Sequence, residues 1–189
     1  YRNKSKSTGS PQFYRFDKPE TEGYPYMLEL FSKEAFDLKV PDSVLTPLHF
    51  SDEVSSLSAI LLNEAYYKML ITGRTEIDNL VVLAPSYIIP FKAKAWLDLT
   101  DKKSKGMHVD EKDIKKHKND IVRLTAILIG DEAVTLPSEV HNDMEQFISM
   151  YEKTPADLKS LHIVGVSNEQ IVERLRDIYL QMKLDVSRE

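Results

Sequence analysis

The spacing of the apolar residues changes near Pro85, and this change limits the folds that the chain can adopt. Before Pro85, apolar residues occur in short runs separated by Pro, Gly and Asn, which is the pattern of β-strands. After Pro85, they recur every three or four residues over longer stretches, which is the pattern of amphipathic helices. A β-rich first half followed by a helical second half predicts an α+β fold.

The first half predicts several short strands. Residues 13–16 alternate aromatic and basic side chains, which is typical of a short strand. Residues 26–31 form an apolar run that is interrupted only by Glu29, so we expect a buried strand there. A charged group in such a run must be paired, point outward or bind a ligand, because burying it alone is costly. Residues 46–50 and 80–83 predict two further strands, the first at a sheet edge.

Residues 51–73 are open to two interpretations. They form either one long helix that is capped at Ser51, or a strand at residues 57–62 and then a helix that begins after Asn63 and ends at Gly73. We favour the strand followed by the helix.

The second half predicts five helices. In the first of them, Ile88, Phe91, Ala95 and Leu99 share one face, which we expect to be buried. In the last, Ser167 and Gln170 form the pair expected of a capping box. The predicted ranges are residues 85–105, 110–130, 138–151, 155–161 and 167–183.

The composition is that of an ordinary globular protein, with 42% hydrophobic and 29% charged residues. The net charge of −5 argues against a surface that binds nucleic acid all over, but it leaves room for a local basic patch. The lack of cysteine excludes disulfides, thiol catalysis and cysteine-based zinc sites, and it favours a cytoplasmic location. No apolar run approaches the roughly 20 residues of a membrane-spanning helix, so we expect no membrane partner.

Two charged residues of the predicted helices are candidates for chemistry. Lys92 lies beside the apolar face of its helix, where a cation at the rim can hold a phosphate or pair with a nearby acid. Asp120 lies in an apolar turn of the next helix and shares a face with His117, three residues earlier. Asp120 could orient Lys92, activate a hydroxyl, or form a structural salt bridge.

A basic segment joins these two helices. Seven lysines fall between Lys102 and Lys118, against three acids, on a chain that is acidic overall. Such a run predicts either contacts to RNA or DNA phosphates or a solvated turn. The chain contains no His-Glu-x-x-His, Gly-x-Ser-x-Gly, P-loop or dinucleotide-binding motif, so zinc-hydrolase, simple hydrolase, P-loop and Rossmann interpretations lose their support.

These residues resemble the AbiEii/AbiGii-type nucleotidyltransferase-like toxin family over roughly residues 13–128. In that family a strand acid, a helix Lys and a later helix Asp form the second, third and fourth motifs. The matching positions here are Glu29, Lys92 and Asp120. They stand in the segments Met27-Leu28-Glu29, Pro90-Phe91-Lys92-Ala93-Lys94-Ala95 and Lys116-His117-Lys118-Asn119-Asp120.

The resemblance implies a small mixed sheet with flanking helices in residues 1–84, as the C-terminal part of a nucleotidyltransferase-like α/β domain, and a helical domain in residues 85–189. It implies transfer of a nucleotide from a nucleoside triphosphate to RNA, such as tRNA, or to protein, in a bacterial toxin–antitoxin or phage-defence setting. Mg²⁺ would be the cofactor, with Glu29 on the metal side, Lys92 and Lys94 on the phosphates, and Asp120 assisting the acceptor or positioning Lys92.

The first motif of that family, a Gly-Gly or Gly-Ser turn followed by two spaced carboxylates, does not occur before Glu29. Because the chain begins with Tyr1 rather than Met, we expect a truncated or divergent member, which is an enzyme only if the missing motif exists in the native protein. The alternatives are a catalytically inactive module that binds nucleotide, nucleic acid or protein, and an interaction domain in which residues 138–189 dock an antitoxin or another subunit.

Overall fold

A computed structural model of the chain describes residues 1–2, 15–33, 45–48, 57–128 and 133–181. Its contacts separate two units, Tyr1–Tyr67 and Lys68–Glu189. Five helices and several small sheets are present in these parts of the chain, so the predicted α+β class is confirmed. The assignment of residues 1–84 to a nucleotidyltransferase-like domain stays a prediction.

The first unit contains two small sheets. β1 and β2 form an antiparallel pair in which Arg15 lies opposite Glu29 and Asp17 opposite Met27. A second sheet has the order β3-β5-β4, with β3 parallel and β4 antiparallel to the central strand. The strands are β1 (Arg15–Asp17), β2 (Met27–Glu29), β3 (Phe31–Lys33), β4 (Leu45–Leu48) and β5 (Leu57–Leu62). The predicted edge strand at residues 46–50 is confirmed as far as Leu48; residues 13, 14, 49 and 50 of the predicted strands lie outside the described residues.

The prediction of one buried strand at residues 26–31 is wrong. The run is divided at Leu30 into β2 and β3, and these strands join different sheets. Met27 is 44% exposed and Leu28 is 43% exposed. Because neighbouring residues of a strand point to opposite faces, neither face of the β1–β2 sheet is covered at these positions.

The first helix, α1 (Glu64–Thr72), begins as the favoured interpretation of residues 51–73 predicts. The side-chain oxygen of Asn63 accepts a hydrogen bond from the backbone N–H of Tyr66 at 3.0 Å, which caps the helix. Gly73 follows the last helical residue, and a Cβ atom there would lie 2.3 Å from Cγ of Tyr87. Glycine is therefore required by a close approach of the chain to Tyr87.

A β-hairpin follows, with β6 (Arg74–Ile77) antiparallel to β7 (Leu80–Leu83). The two turn residues, Asp78 and Asn79, have φ of 50° and 64°, as a type I′ turn requires. The sequence predicted β7 but not β6. The overlooked signal is the Asp-Asn pair in front of an apolar run, because Asp and Asn tolerate positive φ better than most residues.

Four helices build the core of the second unit. These are α2 (Pro85–Ser104), α3 (Glu111–Ile127), α4 (Ser138–Lys153) and α5 (Asn168–Tyr179). Asp110 caps α3 by accepting from the N–H of Lys112, and Ser167 and Gln170 form the predicted capping box of α5. The apolar faces of α4 and α5 are turned inward, with Val140, Met144, Phe147, Tyr151, Ile171, Leu175, Ile178 and Tyr179 all buried.

The prediction for α2 is wrong, because its buried face is rotated by about one residue from the predicted face. Ile89, Ala93, Trp96 and Leu97 are buried, whereas the predicted residues Ile88, Phe91, Ala95 and Leu99 are only half-buried. Both sets follow the helical period, so the pattern alone does not choose between them. The choice is made by packing, because α2 lies against both α3 and α4.

The predicted helix at residues 155–161 is also wrong, because this segment forms tight turns. The side chain of Asp157 accepts hydrogen bonds from the N–H groups of Lys159 and Ser160, and the turns end at His162, where φ is 57°. A side chain that bonds to nearby N–H groups offers the backbone an alternative to a continued helix. In the parts of the chain that the structure describes, no helix is both long and apolar enough to span a bilayer.

Candidate functional site

Lys92 and Asp120, two of the candidate residues, are in contact between α2 and α3. Lys92 Nζ donates to Asp120 Oδ2 at 3.0 Å, and the two side chains are 29% and 25% exposed. Arg123 Nη1 lies 3.8 Å from the other carboxylate oxygen, one turn along α3. Asp120 therefore lies between two cations at the rim of the helix pair.

An open groove of about 310 Å³ passes over this pair. Its charged residues are Lys92, Asp120 and Arg123, and Ile88 and Leu124 supply its apolar walls. The formal charges leave one positive charge in excess. A small anion can bind here by sharing Lys92 and Arg123 with Asp120, and it must compete with that carboxylate.

His117 lies one turn before Asp120 and is half-buried. Its buried Nδ1 has no hydrogen-bond partner among the described residues. Burial lowers the pKa of His117, Lys92 lowers it further, and Asp120 opposes the change. At neutral pH the imidazole is therefore uncharged and does not serve as a third cation for an anion.

Lys94, which is predicted to bind phosphate beside Lys92, forms ion pairs with two carboxylates of the protein itself. Its Nζ lies 3.4 Å from Asp98 on α2 and 3.5 Å from Asp143 on α4. Burial by itself lowers the pKa of Lys94, but Asp98 and Asp143 together outweigh that effect and raise the pKa. The cation thus ties α2 to α4, and its contact with a phosphate stays a prediction.

Glu29 lies in β2 of the first unit and is half-buried. Lys92 and Asp120 lie in the second unit, and the convergence of Glu29 with them stays a prediction. Within residues 1–2, 15–33, 45–48, 57–128 and 133–181, no three His, Asp or Glu side chains are grouped to hold a metal ion. Because Mg²⁺ is commonly held by one or two carboxylates together with substrate phosphates, the Mg²⁺ site that the family resemblance implies stays a prediction.

About half of the lysines in the basic segment have partners inside the protein. Lys103 pairs with Glu111 at 2.6 Å and Lys105 with Asp101 at 2.7 Å. Lys118 donates to the backbone carbonyl of Thr154 at 3.0 Å. Burial and the neighbouring Lys115 lower the pKa of Lys118. The positive charge available to a partner is accordingly smaller than the lysine count suggests.

Three of the remaining four lysines lie on the solvent side of α3, and Arg123 of the same helix lies beside them. Four exposed cations lie within an arc of about 100° around this helix, on the side opposite the buried Ile121, and extend over about 16 Å of its length. Arg123 joins this stripe to the groove above Lys92. We call this set the α3 basic stripe, and its members are Lys112, Lys115, Lys116 and Arg123.

A larger groove of about 470 Å³ runs along α4 and α5, away from the basic residues. Its wall includes Glu152, Glu169, Glu173 and Asp177, and its cation, Arg176, already pairs with Glu152 at 2.8 Å. A phosphate would be repelled there, so the smaller groove and the α3 basic stripe are the candidate site.

Comparison with known proteins adds no relative. No family model, no curated protein and no solved structure matches this chain. The resemblance to the AbiEii/AbiGii-type family stays a prediction from the residues that carry it.

Sequence reasoning paired Lys92 with Asp120 as one open alternative but overlooked Arg123. The signal was present, because residues three apart on a helix are neighbours, and Arg123 follows Asp120 by three. Asp143 was overlooked as the partner of Lys94. Nothing in the spacing of α2 and α4 along the chain indicates which of their faces meet.

Proposed function

We propose that this protein binds RNA through the α3 basic stripe. The observation that carries the proposal is the placement of Lys112, Lys115, Lys116 and Arg123 on one exposed side of a single helix. Regularly spaced cations on a rigid helix contact successive phosphates and release counterions, which drives association with a polyanion. The acidic charge elsewhere on the chain limits binding to this side of the protein.

The groove above Lys92 extends the same surface. Arg123 belongs to both features, and the single excess positive charge of the groove suits a phosphate next to the stripe. Asp120 keeps Lys92 and Arg123 near each other in the absence of RNA. A phosphate that binds there replaces part of the ion pairing that Asp120 supplies.

The test is a titration of a fluorescent single-stranded RNA of about 20 nucleotides at several salt concentrations. We compare the wild type with Lys112→Gln/Lys116→Gln. Loss of two phosphate contacts reduces the slope of log affinity against log salt by about 1.4 and weakens binding at low salt. The matched control is Lys153→Gln/Lys159→Gln, which removes two exposed lysines from elsewhere in the same unit.

The control double variant must bind RNA like the wild type. If both double variants lose affinity equally, the attraction is general and the α3 basic stripe is not the site. If the wild type binds no RNA even at low salt, the proposal is wrong.

Nucleotidyl transfer is the second candidate function, and the contact between Lys92 and Asp120 favours it. These are the residues that the family resemblance assigns to its third and fourth motifs, and they lie beside an open groove. In this reading Lys92 binds a triphosphate and Asp120 positions Lys92. We assign no catalytic step to a metal. Docking of an antitoxin by residues 138–189 stays a prediction.

Incubation with each labelled nucleoside triphosphate and total RNA tests this second function. Label transfer by the wild type, its loss in Lys92→Met and its retention in Lys68→Met, which changes an exposed lysine of α1, would support it. Folding of each variant is checked by circular dichroism. Absence of transfer with all four nucleotides contradicts catalysis by this chain. It does not bear on RNA binding, which the salt titration tests separately.

A further inference from the structure

The β6–β7 hairpin is an exposed structure within the second unit. All four residues of β6 are exposed, and Ile77, Leu80 and Val81 are more than half exposed. Among the described elements, β6 packs mainly on β7. Two-stranded sheets are only marginally stable alone and leave an unpaired edge on each strand.

The register of the hairpin determines which backbone groups form the free edge of β6. Ile77 and Leu80 flank the two-residue turn, so they form a hydrogen-bonded pair, and hydrogen bonding then alternates along the strands. The N–H of Ala84 donates to the carbonyl of Gly73 at 2.9 Å, which continues the same alternation. The N–H and C=O groups of the intervening residues, Arg74 and Glu76, therefore point away from β7.

We propose that the free edge of β6 pairs antiparallel with β6 of a second copy of this chain. With the two-fold axis at Thr75, Arg74 of each copy lies opposite Glu76 of the other. Both residues have outward-facing backbone groups, so the two pairs together exchange about four backbone hydrogen bonds. The two hairpins become one four-stranded sheet.

Charge selects this register over its neighbours. Moving one copy by two residues places Arg74 opposite Arg74, or Glu76 opposite Glu76, and like charges directly opposite each other destabilise a strand pair. The register centred on Thr75 has two opposite-charge pairs. Arg74 Nε also donates to the carbonyl of Ile71, and the guanidinium keeps further N–H groups for a carboxylate.

Charged residues on an edge strand often prevent pairing with another strand. Protection of the edge of β6 is therefore a competing explanation for Arg74 and Glu76. A run of one sign repels a second copy in every register. The alternation of Arg74 and Glu76 is instead self-complementary in one register, which is the property of a two-fold symmetric interface.

The test uses sedimentation equilibrium over a wide concentration range. We expect the wild type to dimerise reversibly and the single variants Arg74→Glu and Glu76→Arg to raise the dimer dissociation constant by about tenfold, because each replaces two attractive pairs with two repulsive ones. The double variant Arg74→Glu/Glu76→Arg restores complementary charges and should dimerise like the wild type. An equimolar mixture of the two single variants should form a heterodimer.

Circular dichroism of each variant checks the fold, and Glu145→Arg, an exposed change of the same size on α4, is the control. A wild type that is monomeric at every concentration overturns the proposal and supports the protective role of the edge charges. A dimer that none of the charge changes alters also overturns it, because the contact then lies elsewhere.

Discussion

The hydroxyl of Tyr179 on α5 donates a hydrogen bond of 2.5 Å to the backbone carbonyl of Ser86 on α2. In a regular helix this carbonyl accepts from the N–H four residues later, but that residue is Pro90, which has no N–H. Both Ser86 and Tyr179 are buried. A side chain 93 residues away along the chain thus supplies the donor that the helix lacks.

Removing this hydroxyl should destabilise the protein through the carbonyl that it leaves without a donor. We expect Tyr179→Phe to lower the free energy of unfolding by about 1–3 kcal/mol. In a Pro90→Ala background, the new N–H reaches the Ser86 carbonyl, so the same change should cost much less. Urea unfolding of the four proteins measures the coupling, and equal losses in both backgrounds would contradict this explanation.

The two glycines that follow helices, Gly73 and Gly106, are needed for different reasons. We expect Gly73→Ala to cost about 1–3 kcal/mol, because its Cβ meets the fixed base of the Tyr87 side chain. Gly106 has open space around it and φ of 76°, so Gly106→Ala costs about 1 kcal/mol through backbone conformation. Thermal unfolding in a Tyr87→Gly background distinguishes the two causes. In that background the destabilisation by Gly73→Ala should become smaller, whereas the destabilisation by Gly106→Ala should not change.

His117 should make the stability of the protein depend on pH below neutrality. Burial and Lys92 lower its pKa below the ordinary value of 6.5, so the unfolded chain takes up a proton more readily than the folded one. The stability that neutral His117 provides is complete above pH 6.5 and is lost as the pH falls from there through the lowered pKa. We expect His117→Gln to show a smaller loss of stability than the wild type over this interval.

Urea midpoints measured on either side of that interval provide the comparison. His108→Gln is the matched control, because His108 is exposed on the loop before α3. Carboxylates contribute to acid destabilisation in all three proteins, so only the difference between variants carries information. If His117→Gln and His108→Gln follow the same curve as the wild type, His117 does not titrate as described.

Local signals predicted the elements whose ends are fixed by local chemistry. Asn63, Asp110 and Ser167 mark the helix starts that the sequence predicts, and each caps its helix. The strand at residues 57–62 ends where predicted. The predictions that are wrong are those that depend on tertiary packing. The exposure of Met27 and Leu28 depends on which layers cover a sheet, and that information is not in the spacing of apolar residues.

The same limit applies to the candidate site. The helical period predicted that Lys92 lies at the rim of the apolar face of its helix and that His117 shares a face with Asp120. Each of these predictions depends only on positions within one helix. The contacts of Lys94 with Asp143 and of Lys118 with Thr154 join separate helices, so they depend on how those helices pack. These long-range partners reduce the charge available for binding, which no count along the sequence could reveal.

The burial of α4 has a consequence for the order in which the second unit opens. Val140, Met144, Phe147, Ile148 and Tyr151 of this helix are each no more than 1% exposed. A helix with that much buried surface cannot detach while its neighbours remain in place, so the amide hydrogens near its centre exchange with solvent only when the whole unit unfolds. The exposed hairpin of β6 and β7 exchanges through local fraying, and the two elements therefore mark the slow and fast limits of exchange in this unit.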